Sequence, residues 1–338
     1  MATRYSLVIP VYRNEEMIPD LLEALVDMNR ELDDALEVVF VDDGSPDRSL
    51  AVLIEALPHT GLDTKLLEMS RNFGAFAAIR AGLKEAKGPY FAVMAADLQE
   101  PPELAIEFFR RLERDACDVV YGVRTGRDDP WSSRLASGAF WAAYRRLIQP
   151  EMPRGGVDVF GCNVTARDAL VGLTEAHSSL IGQLVWIGMR REEVPYRRRP
   201  RKAGKSGWTL RKKLAYMMDS SLAFSDLPIR VLFGVGMLAL AVAFVYGTIV
   251  LVARLTGLIA EPGYAPTVLL IAGFGALNAL GLSVVGAYAW RAFENTKARP
   301  LAIVRRRFEF GDRDAPAEAR PAARHPSKSE ASSLEIHK

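Results

Sequence analysis

Two long runs of residues without a charged side chain constrain this fold more than any other feature of the sequence. Residues 231–253 and 265–290 contain no Asp, Glu, Lys or Arg. A helix needs about 20 apolar residues to cross a bilayer, so the pattern predicts a transmembrane hairpin with spans over 229–253 and 265–290. Two buried helices of a soluble core are the alternative, but uncharged runs of this length are rare in soluble cores.

Basic residues flank the hairpin on one side. The loop between the two spans carries one Arg and one Glu. The cations that precede the first span or follow the second are Arg211, Lys212, Lys213, Arg230, Arg291, Lys297, Arg299, Arg305, Arg306 and Arg307. The positive-inside rule therefore predicts a protein of the inner cell membrane with two spans and both termini in the cytoplasm.

Three further segments border the spans. Residues 209–228 begin with Lys and Arg and continue with apolar side chains, which is typical of an amphipathic interfacial helix. Residues 291–310 are predicted to form a basic cytoplasmic juxtamembrane segment, and residues 311–338, rich in Ala, Pro, Ser and charge, to be disordered. Glycines in the spans allow close packing of helices, either within one protomer or in a homo-oligomer. They are Gly234, Gly236, Gly273 and Gly275.

Residues 1–208 alternate strand patterns with helical patterns. The strand patterns lie at residues 6–12, 36–41, 65–69, 89–94, 118–122 and 158–164. The second of them is apolar through its end, as in a parallel sheet that is covered on both faces. This alternation predicts a cytoplasmic α/β domain with a mostly parallel sheet, which would be the catalytic domain. Residues 132–148 add a predicted amphipathic helix.

Charge and cysteine content exclude several classes of protein. The net charge of only +2 argues against a general nucleic-acid binder. The two cysteines, Cys117 and Cys162, lack metal-type spacing and suit buried thiols in a reducing compartment. The first residues run directly into a strand pattern, so the sequence predicts no cleavable signal peptide.

Acidic and amide side chains gather in the loops that leave the strands. Asp42 and Asp43 come after the second strand, and Asp97 and Gln99 come after the fourth. Parallel strands send these loops to the carboxyl edge of the sheet, where open α/β sheets bind ligands. The oxygen atoms of Asp97 and Gln99 suit Mg²⁺ or Mn²⁺ carrying a diphosphate. The alternative is that Asp97 only caps the helix that follows.

A basic stretch over residues 197–205 lies between the α/β domain and the spans. Guanidinium groups match phosphate oxygens, so the stretch and its neighbours supply candidate phosphate contacts. These are Arg124, Arg134, Arg201 and Lys205. Attraction to anionic lipid headgroups is the alternative. An acidic sheet edge, a divalent cation and a basic segment at the membrane together indicate a nucleotide-sugar donor and a lipid acceptor such as a polyprenyl phosphate.

Several short motifs give the chain a family resemblance. They are Ile9-Pro-Val-Tyr-Arg-Asn-Glu-Glu16, Val41-Asp-Asp-Gly-Ser-Pro-Asp47, Ser70-Arg-Asn-Phe-Gly74 with Ala81-Gly-Leu83, Ala96-Asp-Leu-Gln-Glu-Pro-Pro-Glu103, Arg201-Lys-Ala-Gly-Lys-Ser206, and the pattern Tyr288, Arg291, Glu294, Lys297, Arg299, Pro300. Over about residues 5–305 the chain resembles family 2 glycosyltransferases of the polyprenyl-phosphate type, such as dolichol-phosphate mannose synthase and bactoprenol (undecaprenyl-phosphate) glucosyltransferase. The resemblance implies a GT-A fold, a UDP- or GDP-linked sugar donor, Mg²⁺ or Mn²⁺, inversion at the anomeric carbon and a role in cell-surface glycan synthesis.

The resemblance also implies roles for individual residues. The donor nucleotide would be bound by Pro10, Tyr12, Glu15, Asp42, Asp43, Arg71, Asn72 and Asp97. The metal would be held by Asp97 and Gln99, and catalysis would depend on Asp97, Arg124, Arg134 and Arg201. The acceptor phosphate would contact Arg124, Arg134, Arg201, Lys205 and Ser206. A phosphate is already ionised at neutral pH, because its second pKa is about 6, so no strong general base is required.

The chain departs from the family pattern at three places. Ala95 stands where the metal motif usually has its first Asp, residues 161–164 differ from the Asp-Phe-Arg-Leu of many relatives, and Gly207 replaces a Lys or Arg. The alternative function is therefore a catalytically impaired relative that acts as a partner in a membrane glycan pathway. A processive polysaccharide synthase is disfavoured because the Gln-x-x-Arg-Trp motif is missing, and a transporter because the spans hold no charge. The sugar stays open.

Overall fold

The computed structural model describes residues 3–125, 142, 144–146, 148–153, 157, 159–176, 178–199, 219, 222–257 and 264–311. Its strands are β1 (Tyr5–Val11), β2 (Leu36–Asp42), β3 (Asp63–Met69), β4 (Tyr90–Val93), β5 (Val119–Arg124), β6 (Val159–Asn163), β7 (Arg191–Tyr196) and β8 (Val304–Phe310). Its helices are α1 (Ile18–Glu31), α2 (Ser49–Ala56), α3 (Ala75–Glu85), α4 (Pro102–Glu113), α5 (Val164–Gly172), α6 (Leu180–Trp186), α7 (Leu227–Leu255) and α8 (Tyr264–Thr296). Short 3-10 helices, Glu15–Met17 and Leu57–His59, adjoin α1 and α2.

The strands form one sheet in the order β7-β5-β6-β4-β1-β2-β3-β8. Strands β1, β2 and β3 run parallel to one another, and β4 lies parallel to β1 on its other side. Strands β2 and β3 are therefore added on one side of β1, and β4 is added on the other side. The order of strands reverses between β1 and β4, and open α/β sheets bind ligands at such a switch point. Strands β6 and β8 run antiparallel to their neighbours. The predicted α/β fold class is confirmed.

Helices cover both faces of this sheet. Helices α1, α2 and α4 pack on one face, and α3, α5 and α6 pack on the other. Successive residues of a strand point to opposite faces, so Leu7 and Ile9 join the first core while Val8 joins the second. All three side chains are fully buried, which explains why the parallel strands are apolar without a break.

A buried ion pair ties three strands together at the amino edge of the sheet. The Lys65 ammonium lies 2.9 Å from the Glu37 carboxylate, and their side chains are 6% and 1% exposed. The hydroxyl of Ser6 and the backbone N–H of Lys87 also donate to Glu37, at 2.7 and 2.8 Å. These contacts join β1, β2 and β3 at the edge opposite the carboxyl ends of the strands.

Two edge strands differ from the sequence prediction. Residues 304–310, predicted as part of a juxtamembrane segment, form β8 and pair with β3. The arginines of this segment are typical of the residues that flank a membrane span, so the strand was not predicted. In the structure, Arg305 and Arg306 bind the buried carboxylate of Glu68 in β3. Strand β7 was not predicted because Pro195 interrupts its pattern, although proline is tolerated at a sheet edge. The sheet therefore extends beyond residues 1–208.

Helices α7 and α8 are long and apolar enough to cross a membrane. They have 29 and 33 residues, and the candidate spans are Leu227–Val250 and Gly273–Thr296. The start of α7 meets the end of α8, because the Tyr288 hydroxyl donates to the carbonyl of Ser225 at 3.1 Å. Most of the segments predicted as an interfacial helix (209–228), an amphipathic helix (132–148) and a disordered tail (311–338) lies outside the described residues.

Candidate functional site

The candidate site lies at the carboxyl ends of β1, β2 and β4. The register pairs Val8 of β1 with Val93 of β4, and Val11 of β1 with Asp42 of β2. The backbone N–H of Asp43 donates to the carbonyl of Val11 at 2.9 Å. The loops after these three strands therefore leave the sheet side by side, at the switch in strand order.

Asp43 fastens the loop after β2 to the loop after β3. Its buried carboxylate accepts hydrogen bonds from the backbone N–H groups of Phe73, at 2.7 Å, and Gly74, at 2.9 Å. Burial raises the pKa of the Asp43 carboxyl, and these two hydrogen bonds oppose the rise. Arg71 and Asn72 lie exposed in the loop that Asp43 holds. The structure thus brings these predicted donor-binding residues together.

Gly44 allows the same two loops to touch. Its φ is +64°, and a Cβ at this position would lie 2.6 Å from the carbonyl carbon of Arg71 and 2.8 Å from the backbone nitrogen of Asn72. For the nucleotide-sugar donor that the family resemblance implies, we expect Gly44→Ala to raise the KM about tenfold, equivalent to about 1.4 kcal/mol. The added carbon collides with backbone atoms, which cannot move aside as a flexible side chain can. Steady-state kinetics with varied donor measures the effect.

Gly61→Ala is the matched control for Gly44→Ala. Gly61 has a φ of +70°, but nothing lies within 4 Å of an added Cβ. The control therefore introduces the same left-handed backbone strain without the collision. An unchanged KM in Gly44→Ala, or an equal rise in Gly61→Ala, would contradict a role for the loop contact in donor binding.

Asp42 holds a carboxylate oxygen that no donor in the described part of the chain reaches. Its side chain is 1% exposed, and Oδ2 accepts the backbone N–H of Ser45 at 3.2 Å. Among the described residues, no donor reaches Oδ1. Burial is the main cause that raises the pKa of this carboxyl. A buried acceptor left unsatisfied costs about 1–3 kcal/mol, so Oδ1 suits an N–H or O–H group of a ligand such as a nucleotide base or ribose.

The other predicted donor-binding residues lie on neighbouring elements. Tyr12 follows β1, and its side chain is 41% exposed. The carboxylate of Glu15 accepts the backbone N–H of Arg48 at 3.0 Å, which links the loop after β1 to the start of α2. Pro10 is half-buried within β1, opposite Val41 of β2. The predicted residues of β1, β2 and β3 therefore share one edge of the sheet.

Asp97 is half-buried in the turn after β4. Its carboxylate accepts the backbone N–H of Gln99 at 3.3 Å. Leu98, between them, has a φ of +50°, a left-handed conformation that costs a non-glycine residue about 1–2 kcal/mol and recurs at functional sites. The described part of the chain contains no group of three or more His, Cys, Asp or Glu side chains that could hold a metal ion. Among the described residues, a cation at Asp97 would therefore have few ligands.

The chain after β7 is hydrogen-bonded to the turn after β4. The guanidinium of Arg198 donates to the side-chain carbonyl of Gln99 and lies 3.5 Å from the buried carboxylate of Glu100. The backbone N–H of Arg199 donates to the carbonyl of Gln99 at 2.8 Å. Sequence reasoning missed these contacts, because no periodicity links side chains that are 99 positions apart. The side-chain oxygen of Gln99 thus already has a cationic partner.

Arg124 lies where the basic segment leaves the sheet. It ends β5, and its register partner is Tyr196, the last residue of β7. The backbone N–H of Thr125 donates to the carbonyl of Tyr196 at 2.8 Å. The segments that follow β5 and β7 therefore leave the sheet side by side. The other predicted acceptor residues, Arg134, Arg201, Lys205 and Ser206, lie outside the described residues.

Asn163 lies away from the candidate site. Its register partner is Tyr90, the first residue of β4, because β6 runs antiparallel to β4. Its side chain caps α5 by accepting the backbone N–H of Ala166 at 3.0 Å, and it donates to Asp118 at 2.9 Å. The residues at which the chain departs from the family pattern, 161–164, therefore run toward the amino edge of the sheet, away from the carboxyl edge that carries the candidate site.

Comparison with known proteins points to one family. The model of the family described as Glycosyl transferase family 2 matches residues 6–172. An undecaprenyl-phosphate 4-deoxy-4-formamido-L-arabinose transferase of Sodalis glossinidius is 30% identical over 309 residues, covering 89% of this chain and 93% of that protein. A prophage bactoprenol glucosyl transferase homolog of Escherichia coli is 28% identical over 307 residues, covering 90% and 99%. A crystal structure of glucosyl-3-phosphoglycerate synthase from Mycobacterium tuberculosis, with Mn²⁺, UDP-glucose and phosphoglyceric acid, is 18% identical, covers 64% of this chain and 76% of that chain, and has a TM-score of 0.47.

Proposed function

Because the chain belongs to glycosyltransferase family 2, we propose that it transfers a sugar from a UDP- or GDP-linked donor to a polyprenyl phosphate, with inversion, at the cytoplasmic face of the inner membrane. The main support is that two elements meet at one sheet edge. Acidic loops carry Asp42, Asp43 and Asp97, and the basic chain after β7, which leads toward α7, is bonded to the Asp97 turn. Relatives named for undecaprenyl phosphate and bactoprenol support the lipid acceptor.

The donor nucleotide binds on the β2 side of the edge. The Oδ1 of Asp42, which has no donor among the described residues, accepts a hydrogen bond from the base or the ribose, and this removes the cost of an unsatisfied buried acceptor. Asp43 acts indirectly, because its carboxylate holds the loop of Arg71 and Asn72 in place. The diphosphate then extends along the carboxyl edge toward β4, since ligands in such sheets lie across the switch in strand order.

Asp97 is the residue that fits a divalent cation. Mg²⁺ is commonly held by one or two carboxylates together with waters and substrate phosphates, so one carboxylate beside a diphosphate is a sufficient protein contribution. Ala95 offers no oxygen from its side chain, and the Gln99 side chain is bonded to Arg198. When bound, Mg²⁺ or Mn²⁺ would neutralise charge on the leaving diphosphate. Arg198 occupies one lone pair of the Gln99 side-chain oxygen, so binding of a cation by that oxygen would bring the metal charge close to the guanidinium.

The acceptor phosphate enters from the β5 and β7 side. An oxygen of the lipid phosphate attacks the anomeric carbon in line, the bond to the donor diphosphate breaks on the opposite face, and the nucleoside diphosphate leaves. No residue removes a proton, because a phosphate monoester is ionised at neutral pH. Arg124 holds the acceptor beside the donor against the repulsion of their charges. Arg134, Arg201, Lys205 and Ser206 are proposed to share this role.

Sugar transfer by the full-length chain in nanodiscs tests this function. The discs contain undecaprenyl phosphate, a panel of UDP- and GDP-linked sugars is added with Mg²⁺ or Mn²⁺, and the extracted lipids are analysed by mass spectrometry. At least one donor is expected to yield a glycosylated lipid phosphate. If no donor yields product although nucleotide-sugars bind, the impaired-partner alternative that Ala95 suggests is favoured instead.

Ala95→Asp is expected to lower the metal concentration that gives half-maximal rate about tenfold. The variant restores the first carboxylate of the metal motif, and a gain of about 1.4 kcal/mol in metal binding corresponds to that factor. Transfer rates over a titration of Mg²⁺ measure it. Ala51→Asp, on the exposed surface of α2, adds the same charge elsewhere and serves as control. An unchanged metal requirement in Ala95→Asp would count against a cation at Asp97.

A further inference from the structure

Helix α6 exposes one large side chain and buries the rest. Residues 180–185 are all buried, whereas Trp186 at its end is 65% exposed. Burial of a large apolar side chain stabilises by about 1.5–3 kcal/mol relative to exposure. Tryptophan combines an apolar body with a polar N–H and is enriched where an apolar phase meets water. The position of Trp186 is therefore typical of an interface.

The same face of α6 packs against the start of the hairpin. A Cβ on Gly182 would lie 2.4–3.0 Å from three ring atoms of Phe224, so this ring rests directly on the helix backbone. Phe224 comes just before α7, which begins at Leu227. Trp186 is four positions after Gly182, and residues four apart lie on one face of a helix. The exposed indole thus lies beside the point where the chain enters α7.

The other end of the hairpin contacts the loop that leads into α6. Asn295, in the last turn of α8, accepts the backbone N–H of Ala176 at 3.1 Å. Ala176 lies in the loop that leads from α5 into α6. The region of α6 therefore contacts both the chain that enters α7 and the last turn of α8, and the exposed face of α6 lies beside the surface where α7 begins and α8 ends.

Given the membrane placement proposed above for α7 and α8, we propose that this face of α6 contacts the bilayer and that Trp186 inserts into the headgroup region. Trp residues concentrate at membrane–water interfaces because their rings are amphipathic. A lipid surface is the partner that fits, since it continues from the surface that the two apolar helices enter. The catalytic domain would then touch the membrane directly, in addition to being tethered to it.

A rigid path connects this contact to the donor loop. Buried Arg80 of α3 donates to the side-chain carbonyl of Gln183 in α6 and to the carbonyl of Leu170 at 2.7 Å. Helix α3 starts at Ala75, directly after the loop that Asp43 holds. Insertion of Trp186 would therefore set the height of the donor loop above the bilayer.

Fluorescence quenching by spin-labelled lipids tests the membrane contact. The two native cysteines, Cys117 and Cys162, are 1% and 0% exposed, so a cysteine placed at an exposed position can be labelled selectively in the folded chain. A small environment-sensitive fluorophore is attached to Trp186→Cys, to Leu240→Cys in the middle of α7, and to Glu55→Cys on α2. Each labelled protein is placed in nanodiscs whose lipids carry nitroxides at the headgroup or in mid-chain.

The three positions separate the outcomes. The label at position 186 is expected to be quenched at least about twofold more by headgroup nitroxides than by mid-chain nitroxides, as the distance dependence of quenching requires for an interfacial probe. The label on Leu240→Cys should show the reverse order, and the label on Glu55→Cys should show little quenching. If only the Leu240→Cys label is quenched, α7 crosses the bilayer and the contact at Trp186 is wrong. If the Leu240→Cys label is not quenched either, the proposed membrane placement fails.

Discussion

Replacing Asp97 with Asn is expected to lower the rate of sugar transfer at least about 100-fold. Asn keeps the size of the side chain and an oxygen that accepts the N–H of Gln99, so the turn keeps its shape while the negative charge is lost. Removal of one preorganised electrostatic contact to a transition state costs about 2.7–4 kcal/mol, or about 100- to 1000-fold in rate. Initial rates of labelled-sugar transfer to undecaprenyl phosphate in nanodiscs measure the loss.

Asp27→Asn is the control for the loss of a carboxylate. Asp27 is exposed on α1 and pairs with Arg30 at 2.9 Å, and exposed ion pairs contribute at most about 1 kcal/mol to stability. Its transfer rate should equal that of the wild type. If Asp97→Asn retains a rate within about threefold of wild type, its carboxylate serves only the turn, where it accepts the backbone N–H of Gln99. The alternative that Asp97 caps the following helix is wrong, because the N-cap of α4 is Pro101.

The central strands could be predicted from the sequence because their environment is uniform. Strands such as β1 and β2 are covered on both faces, so an unbroken apolar run identifies them. The edge strands have a mixed environment. In β8, Arg305 and Arg306 form ion pairs with the buried Glu68 of the neighbouring strand. In the sequence alone, the same arginines next to an apolar span are typical of a segment that flanks a membrane. Local pattern alone cannot distinguish the two situations.

The shared edge of the candidate site could also be predicted, because it follows from topology. Any loop that leaves a parallel strand at its carboxyl end reaches the same edge, so Asp42, Asp43 and Asp97 converge without knowledge of distances. The bond between Arg198 and Gln99 could not be predicted, because it joins two loops that are distant in sequence. The role of Gln99 as a metal ligand stays a prediction, and it competes with this bond.

Arg198 links the two halves of the proposed reaction. It binds the turn of Asp97, and it lies three positions before Arg201, which is proposed to contact the acceptor. A change in the position of the basic segment on lipid binding would therefore move the side chain of Gln99 and the backbone of Leu98, which has a positive φ. If the proposed acceptor binds this segment, it would help to shape the donor side, which is a physical route by which the two proposed substrates can depend on each other.

Lys65→Met is expected to destabilise the sheet domain by about 3–5 kcal/mol. The Glu37 carboxylate is 1% exposed and lies 2.9 Å from the Lys65 ammonium, so the variant leaves a buried charge without its cation. Removing one partner of a buried pair costs about that much because the remaining ion is no longer compensated. Each kcal/mol shifts the unfolding midpoint of a domain of 150–250 residues by roughly 2–4 °C. A thermal melt in detergent should therefore show a midpoint at least about 6 °C lower.

Two further variants distinguish an uncompensated charge from lost packing. The double variant Glu37→Gln with Lys65→Met removes both charges, and Gln can still accept the hydrogen bonds of Ser6 and Lys87. It should recover at least half of the lost midpoint, since neutral replacement of a buried pair is often nearly neutral in stability. Arg30→Met, in the exposed pair with Asp27, should change the midpoint by less than about 4 °C. If the double variant is no more stable than Lys65→Met, the loss comes from packing of the lysine stem or from its hydrogen bond to the carbonyl of Glu85, and the ion pair does not determine the stability of the amino edge.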